Sequence, residues 1–347
     1  MSVRKWLSLA TIVLLVVVLY FARHEIVKAW ELLSKVNVWI LLLLFPLQLL
    51  AYYAAAETLF VYLRSKQTMT TASPRILMRM ALEMNFVNHV LPSGGVSGLS
   101  YMGWRLGMYG VNPGRATAAQ AVRYTAGFIA SIVVIAFSVL AVTIDGNINR
   151  WIILVSAGLV MAMIVGTVGI QYLVSSKKRI DRFSDAVSRA VNRLVWRLTR
   201  GKKRVVLHEE KLRDFFGEMH KDYLELRRDW RLLLKPLGWA LLFTLTEGAL
   251  FYTTFAALGD FVNPAPILIA YILASIAGFI VVTPGGAGAY EAIMVTFLAL
   301  AGISSETAIA GILLTRIIVL LTTIGLGYFF YQHALLRYGK DPAAPTS

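Results

Sequence analysis

No cysteine occurs anywhere in this chain of 347 residues, which excludes disulfides and thiolate metal sites outright. Charge is also scarce: Asp, Glu, Lys and Arg together make up 15% of the residues, against roughly 25% in a soluble domain. Acidic groups are the scarcest, with 19 Asp and Glu facing 34 Lys and Arg for a net charge of +15. The five histidines, His24, His89, His208, His220 and His333, are too scattered to make a local ligand pair. No metal and no cofactor are therefore expected. No Walker-type phosphate loop is present, so any transport would run without an ATPase in this chain.

What fills the chain instead is apolar, at 58% of residues. Runs without a formal charge cover Trp6 to Phe21, Val36 to Ala56, Tyr124 to Ile144, Trp151 to Val174, Phe261 to Tyr290 and Ile317 to Gln332. A spanning helix needs about 20 such residues, so the chain reads as a polytopic membrane protein of all-α class. The first run follows Arg4 and Lys5, but it is long, and no small-x-small cleavage site precedes Arg23. It is read as a retained helix and not as a signal peptide.

The positive charge is concentrated between residues 175 and 235, where eighteen Lys or Arg face nine Asp or Glu. Apolar residues recur there every three or four positions on both sides of Gly201-Lys202-Lys203, from Ile180 and Phe183 to Leu198 and from Leu212 and Phe215 to Leu233. That spacing predicts an amphipathic helical hairpin, and its charge places it in the cytoplasm. It serves either as a topology signal or as a platform for anionic head groups. With no recognisable nucleic-acid motif in it, no nucleic-acid partner is expected.

With that hairpin inside, spans at 6–22, 38–63, 118–143, 151–173, 236–258 and 306–335 put both termini in the cytoplasm. Two segments remain, about 77–110 and about 266–303. Each must return to the side it came from, and each is interrupted by proline and glycine. They belong to a duplication: "AAETLF" (Ala55 to Phe60) resembles "LTEGALF" (Leu245 to Phe251), "LPSGG" (Leu91 to Gly95) resembles "TPGG" (Thr283 to Gly286), and "AVRY" is echoed by "LLTRI". The landmarks keep their distances, with Glu57 to Pro92 spanning 35 residues and Glu247 to Pro284 spanning 37. A shift of 192 aligns Gly110-Val111 with Gly302-Ile303. Because helix 38–63 enters the cytoplasm and helix 236–258 leaves it, the two halves run in opposite senses.

Inverted repeats of this kind place interrupted helices near the bilayer midplane in transporters and let the halves rock around a site between them. The expected architecture is thus about six full spanning helices plus two re-entrant helical hairpins in an inverted repeat, with the cytoplasmic amphipathic hairpin between the halves. The N-terminal membrane half covers 1–174, with repeat 1 at about 38–143. The basic hairpin covers 175–235, the C-terminal half with repeat 2 covers 236–336, and 337–347 form a tail.

The hairpin tips fall at Pro92-Ser93-Gly94-Gly95 and Pro284-Gly285-Gly286. Their glycines have two candidate roles. Gly94/Gly98 and Gly103/Gly107 have the small-xxx-small spacing of close helix packing, while a tip at a helix start exposes N–H groups that suit a lipid phosphate. Glu57, Glu83, Arg105, Arg123, Glu247, Glu291 and Arg316 all lie in or at the ends of apolar segments, where ionisable groups are costly and usually paired or functional. One reading pairs Glu57 or Glu247 with Arg123 or Arg316. In the other, Arg105, Arg123 and Arg316 hold an anionic head group, and Glu57, Glu247 or Glu291 couples charge or protons. An arginine fork suits phosphate better than a lysine point charge does.

At "LPSGGVSGLSY" and "TPGGAGAYEA", the latter followed by "LTRII", the chain resembles the transmembrane region of lysylphosphatidylglycerol synthases and related stand-alone flippase-like proteins of bacteria and archaea. The resemblance extends over nearly the whole chain. It implies a multi-pass protein of a prokaryotic cytoplasmic membrane that moves an anionic phospholipid or another lipid-linked substrate between leaflets. Its motif gives importance to Pro284, Gly285, Gly286, Gly288, Glu291 and, downstream, Arg316. The synthases continue into a soluble aminoacyl-transferase domain, whereas this chain ends at Ser347, so lipid synthesis is not expected of it. The alternatives are an accessory protein whose basic hairpin docks a lipid synthase or glycosyltransferase, and a membrane-embedded enzyme acting on lipid phosphates.

Overall fold

Proline and asparagine begin many of the helices, and glycine ends several of them. The structure is a computed structural model that describes residues 20, 23–34, 36–91, 96–144, 150–198, 229–280, 286 and 288–338, with scattered positions between 213 and 228. Its helices are α1 (Arg23–Leu33), α2 (Val38–Leu41), α3 (Leu44–Ser65), α4 (Pro74–Val90), α5 (Val96–Gly107), α6 (Pro113–Ile144), α7 (Arg150–Val174), α8 (Lys177–Leu198), α9 (Leu234–Ala257), α10 (Pro264–Ile280), α11 (Ala289–Leu300) and α12 (Ser305–Tyr338). A 3-10 turn, Trp230–Leu233, leads into α9. Pro74, Pro113 and Pro264 stand at helix starts, where a missing N–H costs nothing. Asn112 and Asn263 cap the same starts by accepting from the N–H of Arg115 (2.7 Å) and of Ala265 (2.8 Å).

Among the described residues, five stretches are long and apolar enough to cross a bilayer: Val38–Ser65, Pro113–Ile144, Arg150–Val174, Trp230–Ala257 and Ser305–Leu336. They match five of the six spans expected from the sequence; the sixth, 6–22, lies almost wholly outside the described residues. The outer faces are apolar too. On α7, Leu154, Met161, Val165 and Val168 are all exposed, a continuous greasy surface that marks contact with lipid.

The two halves echo each other. Helices α3, α4, α5 and α6 have 22, 17, 12 and 32 residues, and α9, α10, α11 and α12 have 24, 17, 12 and 34. Their closures correspond as well. After α3 the N–H of Thr68 reaches the Leu63 carbonyl, and after α9 that of Asp260 reaches Phe255. After α5 the N–H of Val111 reaches Leu106, and after α11 that of Ile303 reaches Leu298. Gln67, Gly259, Gly110 and Gly302 supply the left-handed residue at these four closures. A shift of 192 carries the α3 and α5 closures onto those of α9 and α11.

Packing crosses between the halves. Helix α3 lies against α9 and runs antiparallel to it: the Asn37 N–H donates to the Ala257 carbonyl (2.8 Å) at one end, and Tyr53 meets Trp239 edge-on (5.6 Å between centroids) further along. Helix α4 packs on α12, and α10 packs on α6. Consequently the core around Phe60, Met80 and Leu106 is closed by Leu326 and Phe330 of α12. The core around Phe255, Ile269 and Phe297 is closed by Val134 and Ile135 of α6. Gly327 lets α12 approach α4: a Cβ there would sit 2.5 Å from the Phe86 Cβ and 2.8 Å from the Leu82 carbonyl oxygen.

In the basic segment, Arg213 donates to Asp185 (2.5 Å) and His220 Nδ1 donates to the Val174 carbonyl (2.6 Å). The chain therefore comes back along α8 in the opposite direction. Residues 199–212 lie outside the described residues.

Candidate functional site

Gly286, the last residue of the second proline-glycine motif, closes against the backbone of α10. Gly286 has φ +71°, and a Cβ on it would lie 2.8 Å from the Cα of Gly278. Only glycine satisfies both demands. Gly288, at φ +89°, is the N-cap of α11 and has no side chain to offer. Glu291 supplies the missing acceptor, its Oε2 taking the Gly288 N–H at 2.7 Å. The other oxygen, Oε1, pairs with Arg316 Nη1 at 2.5 Å. Arg316 also lies over the Tyr290 ring, 4.4 Å from its centroid. This pair is open to its surroundings, with the Arg316 side chain 21% and the Glu291 side chain 33% exposed.

Neutral polar groups extend the site inward. Ser275 on α10 hydrogen-bonds the hydroxyls of both Tyr271 and Tyr290. Glu247 on α9 lies within electrostatic reach of Tyr52, Tyr271 and Tyr290. The two N–H groups of Gln48 Nε2 are shared among Tyr52 (3.0 Å), the Val319 carbonyl (2.9 Å) and Thr323 (2.9 Å), while the Tyr52 and Thr323 hydroxyls bond each other. His89 near the end of α4 comes within electrostatic reach of Arg316, its Nδ1 donating to the Asn85 carbonyl at 2.8 Å. Arg316 on α12 thus pairs with Glu291 of α11 and lies within electrostatic reach of α4.

A second charged cluster, between α4 and α5, is closed. Glu83 accepts from Arg105 Nε (2.6 Å), from Arg79 Nε (2.9 Å) and from the Tyr101 hydroxyl (3.0 Å). Both Glu83 and Arg105 are buried, with side-chain exposures of 0% and 1%.

Of the residues singled out from sequence, Gly286, Gly288, Glu291 and Arg316 come together. Pro92, Ser93, Gly94, Gly95, Pro284 and Gly285 lie outside the described residues. Arg105 is tied to Glu83, and Arg123 donates to the Met84 sulfur at 3.3 Å beside the Tyr124 ring. In place of the expected pairing of Glu57 with Arg123 or Arg316, Glu57 pairs with Arg64, and Arg316 pairs with Glu291. The reason is reach, since Arg64 stands two turns along the same helix and needs no tertiary contact. Close packing holds at Gly98, whose N–H bonds the Asn88 side chain at 2.9 Å. It fails at Gly103 and Gly107, where an added Cβ would meet nothing within 4 Å. A search for formal charges missed Tyr52, Tyr271, Ser275, Tyr290 and His89. The i, i+4 pairs Gln48/Tyr52 and Tyr271/Ser275 inside apolar runs were the available signal.

Membrane-length helices with paired shorter helices, and an arginine-glutamate pair where two of those shorter helices meet, define a multi-pass membrane protein with a polar site inside it. The chain belongs to the family described as the lysylphosphatidylglycerol synthase TM region, whose model matches residues 5–327. It is also similar to a UPF0104 membrane protein of Methanothermobacter thermautotrophicus, at 22% identity over 181 residues, covering 52% of each chain. The match thus spans about half the length of that relative. No solved structure matches.

Proposed function

We propose that the protein moves a phospholipid or lipid-linked substrate between the leaflets of a prokaryotic cytoplasmic membrane, holding an anionic head group at Arg316 between two re-entrant hairpins. The observation that carries this reading is the partly open Glu291–Arg316 pair within electrostatic reach of His89. A carboxylate in that position keeps the arginine neutralised while the site is empty. An incoming phosphate offers the same charge in a geometry the guanidinium fork can grip at two points. Glu291 then keeps its bond to Gly288 and gives up only the arginine, so the exchange leaves no unpaired cation at membrane depth.

The inverted-repeat reading is supported by the matching helix lengths and closures and by the antiparallel contact of α3 with α9. The hairpins would be α4 with α5 and α10 with α11, whose 17 and 12 residues lie at and below the lower limit of about 17 for a single span. Both termini would lie in the cytoplasm with the basic α8. In this role the protein performs no covalent chemistry and uses no cofactor.

Dithionite quenching of head-group-labelled lipid in proteoliposomes tests the proposal. The expected result is exposure of inner-leaflet label faster than in empty vesicles. No acceleration for any anionic or zwitterionic lipid would defeat it. Inert proteoliposomes together with a stoichiometric synthase or glycosyltransferase on purification would point instead to docking through the basic hairpin.

A further inference from the structure

We propose that a groove on the flank of the α4–α12 seam, some fourteen residues along α12 from Arg316, binds the phosphate of an anionic phospholipid taken from the adjacent leaflet. The groove is open along one side, has a volume of about 600 Å³ and is lined by Ile76, Met78 and Leu82 of α4 and Phe330 of α12 together with Arg75 and Arg79. That volume lies within the range of ligand sites. The occupant is a phospholipid for two reasons.

The first is charge. Arg79 and Arg105 share the single carboxylate of Glu83, so the cluster holds one more positive charge than negative. Arg105 is sealed inside while the Arg79 side chain is 23% exposed, so the surplus faces the groove through Arg79. Arg75 beside it is exposed. The carboxylates on α3 and α4 are both engaged, Glu57 by Arg64 and Glu83 by Arg79 and Arg105, so neither offsets Arg75. A low-polarity groove with an uncompensated cation at its mouth selects an anion with an apolar body.

The second is the hold on Arg79. Its Nε is committed to Glu83, and its guanidinium carbon lies 5.5 Å from the Phe330 ring centroid. The side chain is thus already oriented along the groove before any ligand arrives, which lowers the entropic cost of binding.

If the protein moves lipid as proposed above, this groove is where a lipid waits before reaching Arg316. Occupancy of the groove itself does not depend on that role. Native mass spectrometry of the full chain in detergent, titrated with phosphatidylglycerol and separately with diacylglycerol of the same tails, tests it. Phosphatidylglycerol is expected to be retained at least tenfold better, and Arg75→Gln and Arg79→Gln each to weaken it about fivefold. Met78→Trp, which fills the groove and leaves every charge in place, is expected to displace the lipid. Arg75→Gln and Met78→Trp leave the Glu83 cluster untouched, so they stand even where Arg79→Gln fails to fold.

Equal retention of both lipids, or wild-type phosphatidylglycerol binding in Arg75→Gln and Met78→Trp, would overturn the groove. A copurifying protein displaced by Met78→Trp would do the same. The two proposals fail separately. Groove binding without bilayer transport removes the transport reading and leaves the groove, and transport with unaltered binding in the groove variants does the reverse.

Discussion

Glu291 performs two tasks with two oxygens, and substitutions can separate them. Glu291→Gln retains an oxygen for the Gly288 N–H but loses the ion pair with Arg316. Arg316→Ala removes the guanidinium and leaves the cap. Both variants are expected to insert and purify as wild type and to lose at least tenfold in lipid transport by dithionite quenching. Wild-type rates in both would remove Arg316 from the site. Gly286→Ala should behave in the opposite way, damaging structure before function. Its left-handed backbone and the 2.8 Å approach to Gly278 make a cost of about 1–3 kcal/mol expected, read as a lowered melting temperature in detergent.

Within the elements, the two pairs of shorter helices, α4 with α5 and α10 with α11, differ in how they are held. The first is fastened by the buried Glu83, with α4 supplying Arg79 and α5 supplying Arg105 and Tyr101. Glu83→Ala leaves Arg105 buried without its carboxylate and is expected to cost about 3–5 kcal/mol. Glu57→Ala should cost less, because Arg64 is 31% exposed and can turn to water. Thermal unfolding of the two variants side by side checks the order. Among the described residues, the pair of α10 and α11 is joined to α12 by the half-open Glu291–Arg316 contact.

Much of this level was legible in the sequence. Apolar runs, with Pro74 and Pro264 at helix starts, placed the expected segments 77–110 and 266–303 within three residues of the helix pairs 74–107 and 264–300. Partner choice was not legible. Whether Glu57 meets Arg64 or Arg123 depends on side-chain direction around a helix whose every face is apolar, so periodicity carries no information about it. Neutral groups such as Tyr271 and Ser275 were invisible for a related reason: their hydroxyls matter only once α10 and α11 are brought together.

For the whole molecule, the sense in which the halves run is open to direct measurement. The absence of cysteine lets single reporters be introduced without background. Thr71 and Asp260 sit in the corresponding exposed loops after α3 and α9. Thr71→Cys is expected to label only from the cytoplasmic side and Asp260→Cys only from the opposite side; labelling of both from one side would contradict the inverted arrangement.

The exchange of long helices between the cores has a consequence for how the chain becomes a protein at all. Since α12 seals the core of the first half and α6 seals that of the second, neither half is a complete folding unit. Cut within the basic segment, the two fragments should behave as obligate partners. Each alone is expected to be degraded, while coexpression should yield a stable pair that copurifies. The molecule is then, in effect, a dimer whose subunits happen to share one polypeptide, with the basic segment as the tether that guarantees equal numbers of each.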